Sequence, residues 1–489
     1  MLCDDACYRA LLTRDARFDG VFFTGVTTTG IYCRPVCTAR TPGRDRVRFF
    51  AGAALAESHG FRPCLRCRPE LAPGQAPVDA VGRTARRAAA RIEAGALRNG
   101  GSLENLAREL GLSSRQLRRD VQQEFGVAPI QLSQTSRLLL AKQLITESTL
   151  PMIAVAEASG FESVRRFNAS FRSHYGLTPT RMRRGSAVTS ENDALRLTLA
   201  YRPPLAWQSM LRFLAARAIP GVEAVVDNAY LRTAQLGARR GWIRVAPIAG
   251  RDALSVELAT SLVPVLSTVL AKTKHLFDLS ARPDVIAACL ASQRRMAGMV
   301  RRVPGLRVPG AFDGFELAVR AIVGQQISVR TATTLSGRLA AAHGETIETP
   351  FAELVRLAPS AERLARAPSA LLAKLGLRSA VAARIRSLAA EVAGGRICLE
   401  PGGDPQQTVA ALVACPGIGP WTAQYIAMRA LGWPDAFPEG DLGLMKASGE
   451  ISSRALRSAA EAWRPWRAYA AMYLWESLQH QPLALRKTG

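Results

Sequence analysis

Three groups of residues have types and spacings suited to chemistry. The first is a set of four cysteines, Cys33-x3-Cys37 and Cys64-x2-Cys67, with residues 38–63 between the pairs. Two close thiol pairs flanking a loop are how a tetrahedral zinc site is built on a small domain, and Gly30, Pro35 and Pro63 supply turns beside them. The second is Leu412–Lys446, where Pro416-Gly417-Ile418-Gly419 runs into Pro420-Trp421-Thr422-Ala423 and an apolar helical run. Gly417 and Gly419 allow a tight turn and close approach of a partner to the backbone, and Pro420 suits a first helical position. The N–H groups of that first turn are an anion site for which a DNA phosphate is a natural occupant. Asp441 follows Pro438-Glu439-Gly440 and falls near the start of the next helix. The third group is basic: Arg115, Gln116, Arg118 and Arg119, then Arg165, Arg166 and Asn168, groups that can hold phosphates and base edges.

This order of a hairpin, a helix and then an acid resembles the helix-hairpin-helix signature of base-excision DNA glycosylases. RPPLAWQSMLRFLAARAIPGVE, FELAVRAIVGQQISVRTA, the hairpin stretch and WRPWRAYAAMYLW together resemble 3-methyladenine DNA glycosylase II of the AlkA type, over about residues 195–485. That resemblance implies a catalytic acid at Asp441 and a base pocket lined by Trp421 and Trp475. It also places Gln326 where the best-known member carries an intercalating leucine. Family relatives that also cut the backbone have a lysine at the position of Trp421, and often a cysteine cluster after the acid. Here no cysteine follows Cys415, so a monofunctional hydrolase is expected. The alternative for Asp441 is a plain helix cap.

TTTGIYCRPVC and GFRPCLRCRPE resemble the N-terminal domain of Ada, the bacterial sensor of DNA methylation damage. The resemblance implies zinc held by Cys33, Cys37, Cys64 and Cys67, with Cys33 accepting a methyl group from a backbone phosphotriester. Arg34, Arg40, Arg44, Arg46 and Arg48 are then candidates to hold neighbouring phosphates. Cys3 and Cys7 read as part of a disordered tail, and Cys289, Cys398 and Cys415 as core. SLENLARELGLSSRQLRRDVQQEFG and PMIAVAEASGFESVRRFNASFRSHYG resemble the paired helix-turn-helix units of the AraC type. Phe125–Pro129 and Tyr175–Pro179 carry the familiar endings, and an activator of this kind implies RNA polymerase as a partner.

The elements needed to position these groups can be read from periodicity. In the two basic helices Leu117, Val121 and Phe125, then Val164, Phe167 and Phe171, share one face, leaving the arginines on the other. Gly111 and Gly160 mark the turns, and residues 131–147 form one connecting helix. Residues 195–280 alternate strand-like and helical runs, and the chain from Pro283 onward is nearly all helical. The expected architecture is multidomain and mainly α with α+β parts. A zinc domain spans 1–76, a double helix-turn-helix 78–184 and a linker 185–193. A small α+β domain spans 194–282 and an all-α helix-hairpin-helix glycosylase domain 283–489.

Composition agrees. A chain of 489 residues with 64 Lys+Arg against 39 Asp+Glu carries a net charge of +25 and favours a polyanion. No apolar run is long enough to span a membrane and no secretory signal opens the chain, so a bacterial cytoplasmic, nucleoid-associated protein is expected. Its partner is double-stranded DNA, both alkylated DNA and promoter sites. The expected function is adaptive-response sensing, transcription activation and hydrolysis of the N-glycosidic bond of alkylated purines. The alternative is a DNA-binding regulator whose C-terminal half is catalytically inactive.

Overall fold

The computed structural model describes residues 2–73, 84–98, 101–184 and 194–479. The predicted linker 185–193 lies outside the described residues. Two compact units emerge: Met1–Pro203 with Leu236–Lys274, and Pro204–Gln235 with His275–Gly489. The expected mainly helical, multidomain architecture with α+β parts is the one the chain adopts.

In the first unit, four short strands form a sheet in the order Val47–Phe50, Phe23–Val26, Ile31–Cys33 and Arg62–Pro63. Its face is sealed by Phe23, Tyr32, Phe50 and Phe61. The N-terminal segment differs from expectation. Asp4–Leu12 is a helix with two acids in its first turn, and Cys7 packs with Ala10 and Phe22. Asp4 and Asp5 favour that helix end, and the apolar Cys7 face gives it something to bury. Burial, reinforced by Asp4, pushes the Cys7 thiol up to about 11.

The two basic helices follow one plan. Ser114–Phe125 is capped by Ser113, whose hydroxyl accepts Gln116 N–H at 3.2 Å, and Val164–Tyr175 by Ser163, which accepts Arg166 N–H at 3.2 Å. Each ends at a left-handed glycine, Gly126 and Gly176. Leu117 and Val121, then Phe167 and Phe171, are buried, as the periodicity predicts. The preceding turns place Gly111 at φ 70° and Gly160 at φ 81°. The connecting helix is Pro129–Glu147, 19 residues, or roughly 28 Å at 1.5 Å per residue. In the same unit Ala194–Ala200 pairs antiparallel with Ala253–Ala259, which pairs antiparallel with Arg239–Pro247.

The second unit contains the hairpin of Glu223–Val226 and Ala229–Leu236. Its two-residue turn, Asp227 and Asn228, has both φ values positive (48° and 60°), the form that matches strand twist. Most of the unit is helical and packs around one core, including Phe315, Ile322, Ile385, Leu388, Leu412, Ile418 and Ile426. The helices Pro405–Ala414 and Pro420–Arg429 flank the Pro416–Gly419 turn. Among the described residues, no helix is long and apolar enough to cross a membrane.

Candidate functional site

The four predicted ligand cysteines converge at one end of the four-stranded sheet. Cys33 ends a strand, and Cys37 follows in a turn closed by its N–H donating to Arg34 O at 3.1 Å. Cys64 is fixed by its N–H donating to Tyr32 O at 3.0 Å. All four sulfurs lie within 4.8 Å of one another. Ligands 2.3 Å from a tetrahedral ion stand about 3.8 Å apart, so this all-thiol set fits zinc, and it is a zinc site.

Arg34 is not a phosphate contact. Its guanidinium is buried against Asp19, which it pairs with through two hydrogen bonds, and it donates to Cys67 O at 3.1 Å. Its backbone N–H points at Cys67 Sγ, 3.3 Å away. Arg44 lies over the Phe49 ring at 5.5 Å, whereas Arg40, Arg46 and Arg48 are exposed. Cys398 is exposed rather than core, while Cys415 is buried as expected. Sequence reasoning also missed Lys142. It is 1 % exposed and donates to Glu70 at 2.7 Å and to the carbonyl of Cys64 at 3.1 Å. Arg68, directly after Cys67, pairs with Glu147 at 2.9 Å. The connecting helix thus holds the zinc loop through ion pairs that no helical periodicity announces.

Of the basic residues, Arg115, Arg118, Arg119, Arg165 and Arg166 are all exposed, opposite the buried faces of their helices. Arg118 and Arg166 meet only exposed acids, Glu104 at 4.0 Å and Glu162 at 3.2 Å, pairs worth little in water.

In the second unit the hairpin turn is anchored by Ile418, 3 % exposed, while Gly417 and Gly419 on either side are exposed. Gly417 adopts φ 79° and a Cβ there would collide with Arg384. Gly419 caps Pro420–Arg429 without a side chain, leaving the first helical turn open outward. Asp441 caps Leu442–Ser448 by accepting Leu444 N–H at 2.9 Å. It does more than cap. Trp421 Nε1 donates to Oδ2 at 3.1 Å and Trp475 Nε1 donates to Oδ1 at 3.0 Å. Tyr425, one turn after Trp421, stacks on it at 5.5 Å with planes 5° apart and meets Trp475 edge-on at 6.3 Å. One half-buried carboxylate is therefore held by two indoles, with the Tyr425 ring packed against both.

Gln326 is exposed at φ 61°, in the loop between the helices Gly314–Val323 and Val329–His343. Its neighbour Gln325 fastens that loop to the hairpin, donating to Gly417 O at 3.2 Å and Thr422 Oγ1 at 3.0 Å and accepting from Arg384 at 2.6 Å.

Family models match three stretches: the metal binding domain of Ada over residues 6–70, a helix-turn-helix domain over 106–185, and the AlkA N-terminal domain over 196–313. A Mycobacterium tuberculosis (strain H37Rv) protein named as a probable bifunctional transcriptional activator/DNA repair enzyme AlkA is 39% identical over 485 residues, covering 97% of each chain. The chain belongs to this family. An Ada-type front half is thus fused to an AlkA-type glycosylase half. The latter is 37% identical over 285 residues to DNA-3-methyladenine glycosylase 2 of Escherichia coli (strain K12), across 58% of this chain and 98% of that one. The fold is shared with a 3-methyladenine DNA-glycosylase from Archaeoglobus fulgidus, at a TM-score of 0.50 and 22% identity over 57% of this chain and 97% of that one.

Proposed function

We propose that this AlkA-family chain joins a DNA-methylation sensor and transcription activator to a monofunctional N-glycosylase acting on alkylated purines such as 3-methyladenine. The observation that carries the enzyme reading is the Asp441 carboxylate, both of whose oxygens receive an indole N–H from the rings expected to line a base pocket. The target nucleotide must leave the duplex before its glycosidic bond is accessible. As the C1′–N bond breaks, its electron pair goes to the departing base, and positive charge develops on the sugar. Asp441 stabilises that charge, and water then adds at C1′. A base alkylated on a ring nitrogen is cationic and leaves neutral, and electron-rich ring faces attract it before departure by ~1–2 kcal/mol. Asp441 is bonded to two indoles and a backbone N–H, with no amine among these partners to form a Schiff base.

Gly417 and Gly419 offer backbone N–H groups to a phosphate beside the flipped nucleotide, and Gln326 fills the vacated gap by hydrogen bonding. Arg115, Arg118, Arg119, Arg165 and Arg166 hold promoter DNA, with RNA polymerase as the downstream partner and nucleoid DNA in the cytoplasm as the setting. Zinc, when bound, supplies the positive charge that keeps four cysteine sulfurs deprotonated at neutral pH. The Cys33 sulfur then attacks the methyl carbon of a phosphotriester; the S–C bond forms, the C–O bond breaks, and the phosphodiester leaves as an anion. No base returns the methyl group, so the step runs once per chain.

Release of 3-methyladenine from methylated DNA by the wild type and Asp441→Asn, assayed in parallel, tests the enzyme reading. If the wild type binds such DNA and frees no base, the C-terminal half is a binding module and the regulator alternative stands.

A further inference from the structure

Three guanidinium groups meet beside the Asp441 ring cluster. Arg429, from the same helix as Tyr425, donates to the Tyr425 hydroxyl at 2.9 Å. Arg217, which follows the helix Trp207–Ala215, brings its charge to bear on the same hydroxyl. Arg320, from the helix Gly314–Val323, also bears on it. The arginines are held independently of the tyrosine. Arg429 is 4 % exposed and donates to Pro309 O at 2.8 Å and Gly310 O at 3.0 Å; Arg217 donates to Phe213 O at 3.2 Å. Both guanidinium groups also lie over the Phe213 ring, Arg217 at 3.7 Å and Arg429 at 4.9 Å. Arg320 donates to Thr333 Oγ1 at 3.0 Å, while its Nη1 is buried without a partner.

The charges around this point do not balance. Asp441 acts on Arg217 from its helix cap, and Glu223 acts on Arg320. Of the other nearby acids, Glu316 is engaged by Arg232 at 2.8 Å and Asp313 caps its helix by accepting Glu316 N–H at 2.9 Å. Arg429 is buried and Arg217 and Arg320 are half-buried, and three cations drawn together with no acid among the described residues paired to any of them call for a further counter-charge. A site with that surplus would also repel a cationic base.

We propose that Tyr425 is a specificity-determining residue that works as a phenolate, an anionic aromatic wall held by Arg429 and flanked by Arg217 that favours a positively charged base over a neutral one. The proposal rests on the glycosylase reading above. Its geometry is a ring stacked on Trp421 and touching the edge of Trp475, so charge on the oxygen enriches the same aromatic surface that meets the base. Burial alone would raise the phenol; Arg429, then Arg217 and Arg320, override it and bring it down to about 8. Proton loss here leaves the ring anionic without removing any hydrogen bond that it receives.

Two measurements test this on the full chain with zinc bound. Tyrosinate absorbance near 295 nm is followed against pH for wild type and Tyr425→Phe. The difference should show a single ionisation near 8, shifted toward the ordinary phenol range in Arg217→Gln. A difference spectrum with no ionisation below the ordinary phenol range overturns the proposal. Single-turnover excision is then compared at pH 8 for 3-methyladenine, cationic in DNA, and hypoxanthine, which is neutral there. In Tyr425→Phe the ratio of the two rates should fall by about tenfold, as expected for losing one nearby charge in a half-buried site. An unchanged ratio overturns the assignment. Absence of any base release by the wild type would instead sink the glycosylase reading, and the spectral titration would still read the phenolate.

Discussion

Trp421 Nε1 and Trp475 Nε1 donate to different oxygens of Asp441, at 3.1 Å and 3.0 Å, so two indoles from separate helices fix one carboxylate in orientation. The same carboxylate caps a third helix through Leu444 N–H. A group with both duties can be neutralised without losing the cap, because asparagine is as good a capping residue as aspartate. Asp441→Asn should therefore lower single-turnover excision by about 10²–10³-fold. Its melting temperature should stay near the wild-type value. A properly folded Asp441→Asn enzyme that excises at full rate would show that the charge is not used.

Arg34 and Asp19 form a buried pair behind the zinc loop. Removing one member of such a pair leaves the other charge stranded, at a cost of about 3–5 kcal/mol. Arg34→Met should thus destabilise the zinc domain and reduce its zinc content, read by thermal melting and metal analysis. Arg40→Ala, at an exposed position, should leave both unchanged. Equal zinc content and stability in the two variants would contradict the structural role given to Arg34.

The exposed arginines of the paired basic helices should behave as phosphate or base contacts. Each change to alanine at Arg115, Arg118, Arg119, Arg165 or Arg166 that removes a phosphate contact should reduce the slope of log affinity against log salt by about 1. A variant that alters sequence preference while keeping the slope marks a base contact. Titration of promoter DNA at several salt concentrations distinguishes the two.

For the sensor, mass spectrometry after exposure to DNA carrying methyl phosphotriesters should find one added methyl, on Cys33. A methyl on Cys37, Cys64 or Cys67 refutes the assignment.

Asp278 provides a pH test of stability. Burial pushes its carboxyl up to about 6, against the pull of Arg307 and the Tyr469 hydroxyl that donates to it at 2.7 Å. An unfolded aspartate sits near about 3.9, so the folded protein holds a proton that the unfolded chain releases. Stability from this group is present in full below about 4 and is lost as pH rises through about 6, a change of about 3 kcal/mol. Urea unfolding of wild type and Asp278→Asn across that range should show the dependence in the first and its removal in the second.

The local rules of the chain were sufficient for much of this protein. Cys33-x3-Cys37 and Cys64-x2-Cys67 declare their ligand set because zinc geometry constrains spacing within each pair. The faces of Ser114–Phe125 and Val164–Tyr175 follow from periodicity, and Pro420 starts its helix because its ring permits that position. Composition could not separate a surface charge from a buried one. Arg34 reads as DNA-facing and Lys142 gives no signal, yet each lies inside, since Asp19 and Glu70 are brought to them by the fold. The two-sided grip on Asp441 is likewise a matter of three-dimensional closure. The family resemblance groups residues 421, 441 and 475, but their spacing carries no sign of the mutual hydrogen bonds until their helices pack, because such bonds depend on distance in space and not along the chain.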